Sequence, residues 1–494
     1  MSRANAETVA TAVAASLEDC IEGRSSPSTS SAQNNTISTS GGATDQLSAS
    51  LDEMWPLVKD KHTFTKEADM YPCIQGFFQF VKSRIAEEAN SRDFHLRHTL
   101  EVYDKADTKP IGAADSNRID LALYCPELHQ DTMLGANISG VLYKKDKLDA
   151  TNYRNMLAII KAKKYTSDQS TAYGQLLLYT RNLYVCQFDR RFSWGFTVCN
   201  SIVHMCIIAN DKVYPSDDID LRKSGGRSKL VMLLCNMSFC KVDQLGYDLS
   251  ISYNKIADRW ETTVFDDDEI ADDELADSSM AYDDDDVSEE LVIIKDAWAF
   301  VPKTPEGIAY DDPRNEVQIM RKITNALSDN QNFAGMYPTL EHGGVVWFAD
   351  TDGEYTIKDN EEHVVGRLGE NAISEYHICV HKRLAMKPIG EPLYSARSVY
   401  ELIIVVADAM LVYMVIWKKA KILHRDISDN NILLIREDSW IRGMLIDFDN
   451  SLDISDPEVL KRVIQPGMMG TLPFMSIPNL ENHQGGYYTV LDDW

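Results

Sequence analysis

His424-Arg425-Asp426 is followed, five residues after the aspartate, by Asn431. Apolar residues anchor both ends of this stretch, Ile422 and Leu423 before it and Ile432 to Leu434 after it. One carboxylate and one amide held at a short, fixed separation are parts that metal-assisted phosphoryl transfer from ATP requires. Asp426 would orient the attacking hydroxyl, and the side-chain oxygen of Asn431 would ligate Mg2+. A second carboxylate, Asp447, comes 21 residues after Asp426, at the end of the apolar run Met444-Leu445-Ile446 and in front of Phe448. A carboxylate at a strand end beside a buried Phe is suited to chelating the same ion. The interval leaves room for a hairpin between the two acids.

The same chemistry needs a cation against the inner phosphates. Lys295 lies on a predicted strand, "LVIIKDAWAF" (291–300), and Glu316 lies on a predicted helix, "RNEVQIMRKITNAL" (314–327). An ion pair between them would hold Lys295 forward. A lone Lys on a strand is usually solvated, and His-Arg-Asp alone arises by chance. The order carries the reading: Lys, Glu, His-Arg-Asp with Asn five on, then Asp-Phe. Two further elements complete the framework, a strand in "SEYHICVHKRL" (374–384) and a long buried helix over 396–420 that leads straight into His424. The run 399–417 within it carries Glu401 and Asp408, which reads as a core helix and not a membrane span.

The chain has 494 residues, enough for two or three domains, and 44% apolar residues, enough to fill their cores. A net charge of −27 argues against nucleic-acid or anionic-membrane binding through bulk charge. Nine scattered cysteines, without paired metal spacing, read as reduced thiols in an intracellular, cytoplasmic or nuclear protein. Residues 1–50, rich in Ser and Thr, read as a mostly disordered tail with a short helix near 5–20. Residues 51–245 read as an α/β domain. It has a helix at 72–89, strands at 118–126 and 154–164, a helix at 172–184 and a hairpin over 192–210 turning at Asn200-Ser201. Residues 266–290 hold 14 acidic residues in 25 and no basic one, a solvated linker able to dock a basic partner.

"HRDIS" followed by "NNILL", "IDFDNS" and "GTLPFMS" (470–476) resemble the fungal-type protein kinase family, over roughly residues 60–494. The resemblance implies an α+β fold: a kinase-like bilobal domain, with its N-lobe over 291–390 and a partial C-lobe over 391–494. Residues 246–290 would hold a degenerate glycine-loop region and the acidic linker. It also implies a Mg2+-dependent transfer from ATP to a Ser or Thr hydroxyl of a protein substrate, with Asp426 as catalytic acid/base and Asn431 and Asp447 as metal ligands. Lys295 would contact ATP with Glu316 as its partner. Gly470 and Thr471 would face the substrate, and Ser428 would stand where many kinases have Lys.

The sequence departs from the kinase pattern in four places. "IADRWETTVFDDD" (256–268) has no glycine to let backbone amides approach phosphates, and Asp258, Trp260 and Glu261 bring bulk and negative charge. Asp449 replaces the Gly expected after Asp-Phe and should restrict the flip of that loop. "FMSIPNL" (474–480) lacks the usual Ala-Pro-Glu. The chain ends at Trp494, soon after Asp492 and Asp493, which reads as a large lobe cut short. These departures keep open a second reading, a pseudokinase scaffold. In the front domain, Asp120 and "IIKAK" (159–163) resemble the Asp and Glu-x-Lys core of restriction-endonuclease-like folds, with Lys161 in the Glu position and Lys163 retained. A cation there opposes metal binding, so an inactive nuclease-like module and an unrelated α/β recognition module both remain open.

Overall fold

The computed structural model describes residues 2–21, 56–58, 64–104, 119–125, 134–136, 142–144, 153, 156–187, 189–209, 212–254, 259–262, 292–300, 303–304, 307–308, 316–349, 355–358, 379–437, 440–455 and 472–474. These residues fall into two compact units divided after Thr262. The acidic run 266–290 lies outside the described residues.

In the first unit, helices α1 (Ser2–Ile21), α2 (Tyr71–Ser91), α3 (Gln169–Cys186) and α4 (Ser224–Phe239) cover the two faces of one sheet. Strands β1 (Glu101–Asp104), β2 (Leu121–Tyr124), β3 (Met156–Lys163), β4 (Ser193–Cys199), β5 (Ile202–Ala209) and β6 (Lys212–Pro215) lie in that order, with a short β7 (Ile219–Asp220) also pairing with β5. All pairings are antiparallel except β3 with β4, which run parallel and are joined through α3. The strands read as near-continuous apolar runs because both faces are buried. The hairpin between β4 and β5 turns at Asn200 and Ser201, as the sequence predicts, and Asn200 takes the left-handed conformation that Asn tolerates.

At the N-terminus the short helix expected near residues 5–20 forms, while residues 22–50 lie outside the described residues. Helix α1 is longer than the sequence suggests, and Ala6, Val9, Ala10, Val13, Leu17 and Cys20 form a buried stripe at helical spacing. That stripe joins one core with α2 and α4. Glu18 fastens it by accepting two hydrogen bonds from the Arg227 guanidinium, at 2.7 and 2.6 Å. A bidentate pair of this kind fixes direction as well as contact. The expected glycine-loop region contains a hairpin, β8 (Ile251–Asn254) with β9 (Arg259–Thr262), which groups with the first unit; its turn, including Asp258, lies outside the described residues.

The second unit has a three-stranded antiparallel sheet, β10 (Ile293–Phe300) and β11 (Thr339–Val345) flanking β12 (Cys379–Lys387). Helix α5 (Glu316–Leu327) lays Val317, Met320, Ile323 and Leu327 on its core. Helix α6 (Val399–Ala420) starts where Ser398 Oγ accepts the Glu401 amide at 3.2 Å, with Lys418 and Lys419 in its last turn. It stops at Lys421, which is left-handed. The structure narrows the expectation of a long buried helix to one face. Val405, Ala409, Val412, Tyr413, Ile416 and Ala420 are buried, whereas Val399, Tyr400 and Ile403 are exposed. By length and composition alone α6 could cross a membrane; its buried stripe is part of the unit's core.

Strands β13 (Ile432–Arg436) and β14 (Ile441–Leu445) form a hairpin in the interval between Asp426 and Asp447. At Gly443 the helix comes so close that an added Cβ would lie 1.9 Å from the Val405 carbonyl oxygen. The Gly443 amide also donates to Asp408 at 3.1 Å. Gly443→Ala therefore forces α6 off the hairpin. The expected cost is about 1–3 kcal/mol, read as a lower denaturation midpoint; an unchanged midpoint would contradict this packing.

All nine cysteines are free, and all but Cys240 are buried. Burial pushes the thiols of Cys199, Cys206 and Cys235 up to about 12.

Candidate active site

The site is built on the two loops that flank the β13–β14 hairpin. After Lys421 the chain pairs briefly, Ile422 and Leu423 with Leu452 and Asp453, which brings the His-Arg-Asp loop against the Asp-Phe loop. His424 is fully buried and joins the two. Its Nε2 meets the Ile446 carbonyl at 3.0 Å and its Nδ1 meets the Asp426 amide at 3.3 Å, which fixes the neutral tautomer with the proton on Nε2. Its ring packs on Phe448, with centroids 4.9 Å apart. Arg425 and Asp447 both take left-handed backbone, at φ +66° each. Such conformations persist in non-glycine residues only where surroundings over-determine them. Here Arg425 Nε donates to the Asn450 carbonyl at 2.7 Å, and the Ile446 amide donates to the Asn431 carbonyl at 3.0 Å.

Within this frame the predicted residues take defined places. Asn431 Nδ2 donates to the Asp426 backbone carbonyl at 2.8 Å. With its nitrogen tied to the main chain, the amide keeps its oxygen as an acceptor, the form that suits a hard cation. Asp447, one residue beyond the Ile446 amide bound to Asn431, reaches Lys295 Nζ at 2.8 Å. Lys295 Nζ also meets Glu316 Oε2 at 2.7 Å, so the pair expected from strand and helix forms. Glu316 is buried and accepts the Phe448 amide through its other oxygen at 3.1 Å.

Three features were not legible in the sequence. Asp449 Oδ2 lies 2.9 Å from Lys295 Nζ, making a third carboxylate on that ammonium. Asn450 Nδ2 donates to Asp426 Oδ2 at 3.4 Å and steadies the carboxylate. Ser428 is buried, and its hydroxyl has no hydrogen-bond partner among the described residues. Only the residues following Asp-Phe hinted at the first two, through their polarity.

The charges follow from burial and proximity. Burial works against the Lys295 ammonium, but Glu316, Asp449 and Asp447 outweigh it and hold its pKa above the ordinary value. Burial pushes Glu316 up to about 8 against the pull of Lys295. Burial also opposes the charge of Asp449, yet its hydrogen bond with Glu316 and the nearby Lys295 hold it below the usual carboxylate range. Glu316, Asp447 and Asp449 present oxygens close enough together to share one cation.

The profile of the fungal protein kinase family matches residues 137–493. The chain belongs to the fungal protein kinase family. No curated protein matches it. Membership implies a kinase-like function, with ATP and a divalent metal in general and protein as substrate. In this family member the match begins inside the first unit, so the family sequence reaches beyond the segment that carries Lys295 and Asp426. Gly470, Thr471, residues 475–480, Asp492 and Asp493 lie outside the described residues.

The other predicted cluster lies in the first unit. Lys161 Nζ pairs with Asp120 at 2.8 Å, both side chains buried, and the Ala162 amide donates to the same carboxylate at 2.9 Å. Lys163 pairs with Glu67 at 3.1 Å. Strand register extends this into a polar row, with Lys161 beside Thr197 and Thr197 beside His204. Removing one partner of a buried pair leaves the other charge uncompensated, at about 3–5 kcal/mol. Lys161→Met should lose stability on that scale in chemical denaturation. The double variant Lys161→Met with Asp120→Asn should recover much of it; a double variant as unstable as the single one would contradict the pairing.

Proposed function

We propose that the protein transfers the terminal phosphoryl group of ATP to a Ser or Thr hydroxyl of a protein substrate. The observation that carries this reading is Lys295, held by Glu316 and set against Asp447, in the same frame as Asp426 and Asn431. Lys295 would neutralise the inner phosphates, and Glu316 keeps it forward. Asp426, steadied by Asn450, would accept the hydroxyl proton as the new oxygen–phosphorus bond forms and the bond to the ADP oxygen breaks. Asn431 and Asp447 fit a divalent cation as one amide oxygen and one carboxylate. When bound, such an ion neutralises phosphate charge. Phosphoryl transfer relies on positioning and electrostatics, and the hydrogen bonds around His424 supply the positioning.

The three carboxylates on Lys295 favour a second reading, a pseudokinase scaffold that spends its cation internally. In the first unit, the Lys161–Asp120 pair supports a module without Mg2+-dependent nucleic-acid cleavage. Nine free cysteines support a reducing, intracellular location, and the acidic run 266–290 supports a basic partner.

Radiolabelled ATP, Mg2+ and generic protein substrates separate these readings. Transfer onto Ser or Thr should appear, and Asp426→Asn should lower it by about 10^2–10^4-fold. Asp447→Ala should abolish the Mg2+ dependence of nucleotide binding. Nucleotide binding without any transfer would favour the scaffold.

A further inference from the structure

Asp449 stands where a glycine would leave only backbone, and its carboxylate is the feature of the site with no assigned task. The backbone does not call for glycine here, because among the described residues Asp447 is left-handed and Asp449 is not. The side chain is directed by charge: Asp449 Oδ2 lies 2.9 Å from Lys295 Nζ, beside Asp447 at 2.8 Å and Glu316 at 2.7 Å. Lys295 has three donor hydrogens, and three carboxylates meet it. Glu316 is buried and fixed from its other oxygen by the Phe448 amide, so it stays on Lys295. Asp447 and Asp449 are partly exposed.

A nucleotide that is to use Lys295 must take the place of one of these two exposed partners. Asp447 has an alternative, as ligand to a divalent cation with Asn431. Asp449 has no second cationic side chain among the described residues, and once displaced its negative charge faces the phosphates that displaced it. We propose that Asp449 is a positioning residue that competes with nucleotide phosphates for Lys295, so that nucleotide binds well only together with a divalent cation. The inference rests on the phosphotransferase reading of this site and deepens it: the site takes the metal–nucleotide complex and rejects free nucleotide. Like charges confined near a partly buried ammonium interact strongly. Replacing Asp449 therefore favours metal-free nucleotide most, because a bound cation already offsets the carboxylate.

The test measures ATP affinity of the full chain by calorimetry, in Mg2+ and in EDTA. It uses the parent protein, Asp449→Asn, Asp449→Gly, and Lys295→Met with and without Asp449→Asn. Asn keeps the side-chain shape and Gly removes it, so an effect common to both belongs to the charge. Both Asp449 variants should bind ATP in EDTA at least about tenfold more tightly than the parent, a gain of about 1.4 kcal/mol. In Mg2+ the gain should be smaller, so the ratio of the two affinities falls; in a Lys295→Met background, Asp449→Asn should bring no gain. An unchanged ratio, or Mg2+-dependent affinity lost in both variants as a metal ligand would require, overturns the competitor role and leaves the nucleotide site standing. ATP binding by none of the proteins in either condition overturns the phosphotransferase reading and this inference with it.

Discussion

The Lys295 ammonium ties together three segments that are far apart in the chain. Strand β10 supplies the cation, α5 supplies Glu316, and the Asp-Phe loop supplies Asp447 and Asp449. Glu316 extends the tie to the backbone by holding the Phe448 amide. Buried ion pairs are poor sources of net stability, because desolvation offsets much of their attraction; their better-attested use is to fix one arrangement among several. That use suits this site. A Met in place of Lys295 could fill the same space, but the Asp-Phe loop would then be tied to strand β10 by no charge, and to helix α5 through the Phe448 amide on Glu316 without the ammonium between them.

A second constraint acts from the other side. His424 carries one proton between two loops, and its buried ring backs onto Phe448. Around it, two non-glycine residues hold left-handed backbone. The strain falls on Arg425, beside Asp426, and on Asp447 itself. Packing below and hydrogen bonds at each flank keep both in place, while the α6 stripe and the β13–β14 hairpin provide the floor.

Much of this was readable in the chain. Lys295, Glu316, Asp426, Asn431 and Asp447 lie in a fixed order, and the periodicity of their flanks places each on a strand, helix or loop. What escaped the sequence depended on register or on distant partners. The row Asp120, Lys161, Thr197 and His204 exists only once three strand pairings are set, one of them through a parallel crossover. The links of Asn450 to Asp426 and of Asp449 to Lys295 cross 24 and 154 residues of chain respectively, by the difference of their numbers. The N-terminal helix was obscured by composition. Its apolar stripe is built largely of Ala and Val, and the neighbouring Ser and Thr made the segment look coreless. Helix α6 shows the opposite case, since its apolar content suggested a buried helix and only one face of it is buried.

The burial of the cysteines makes the chain a sparse target for thiol chemistry. The nucleophile in such reactions is the thiolate, and burial holds Cys199, Cys206 and Cys235 almost wholly protonated at neutral pH. Cys240, at the end of α4, is the partly exposed thiol. A maleimide dye offered to the folded protein would thus mark the first unit at one place. Cys379, on the central strand β12, would take up dye only as that strand is uncovered, so the same reagent would serve as a clock for the opening of the sheet that carries Lys295.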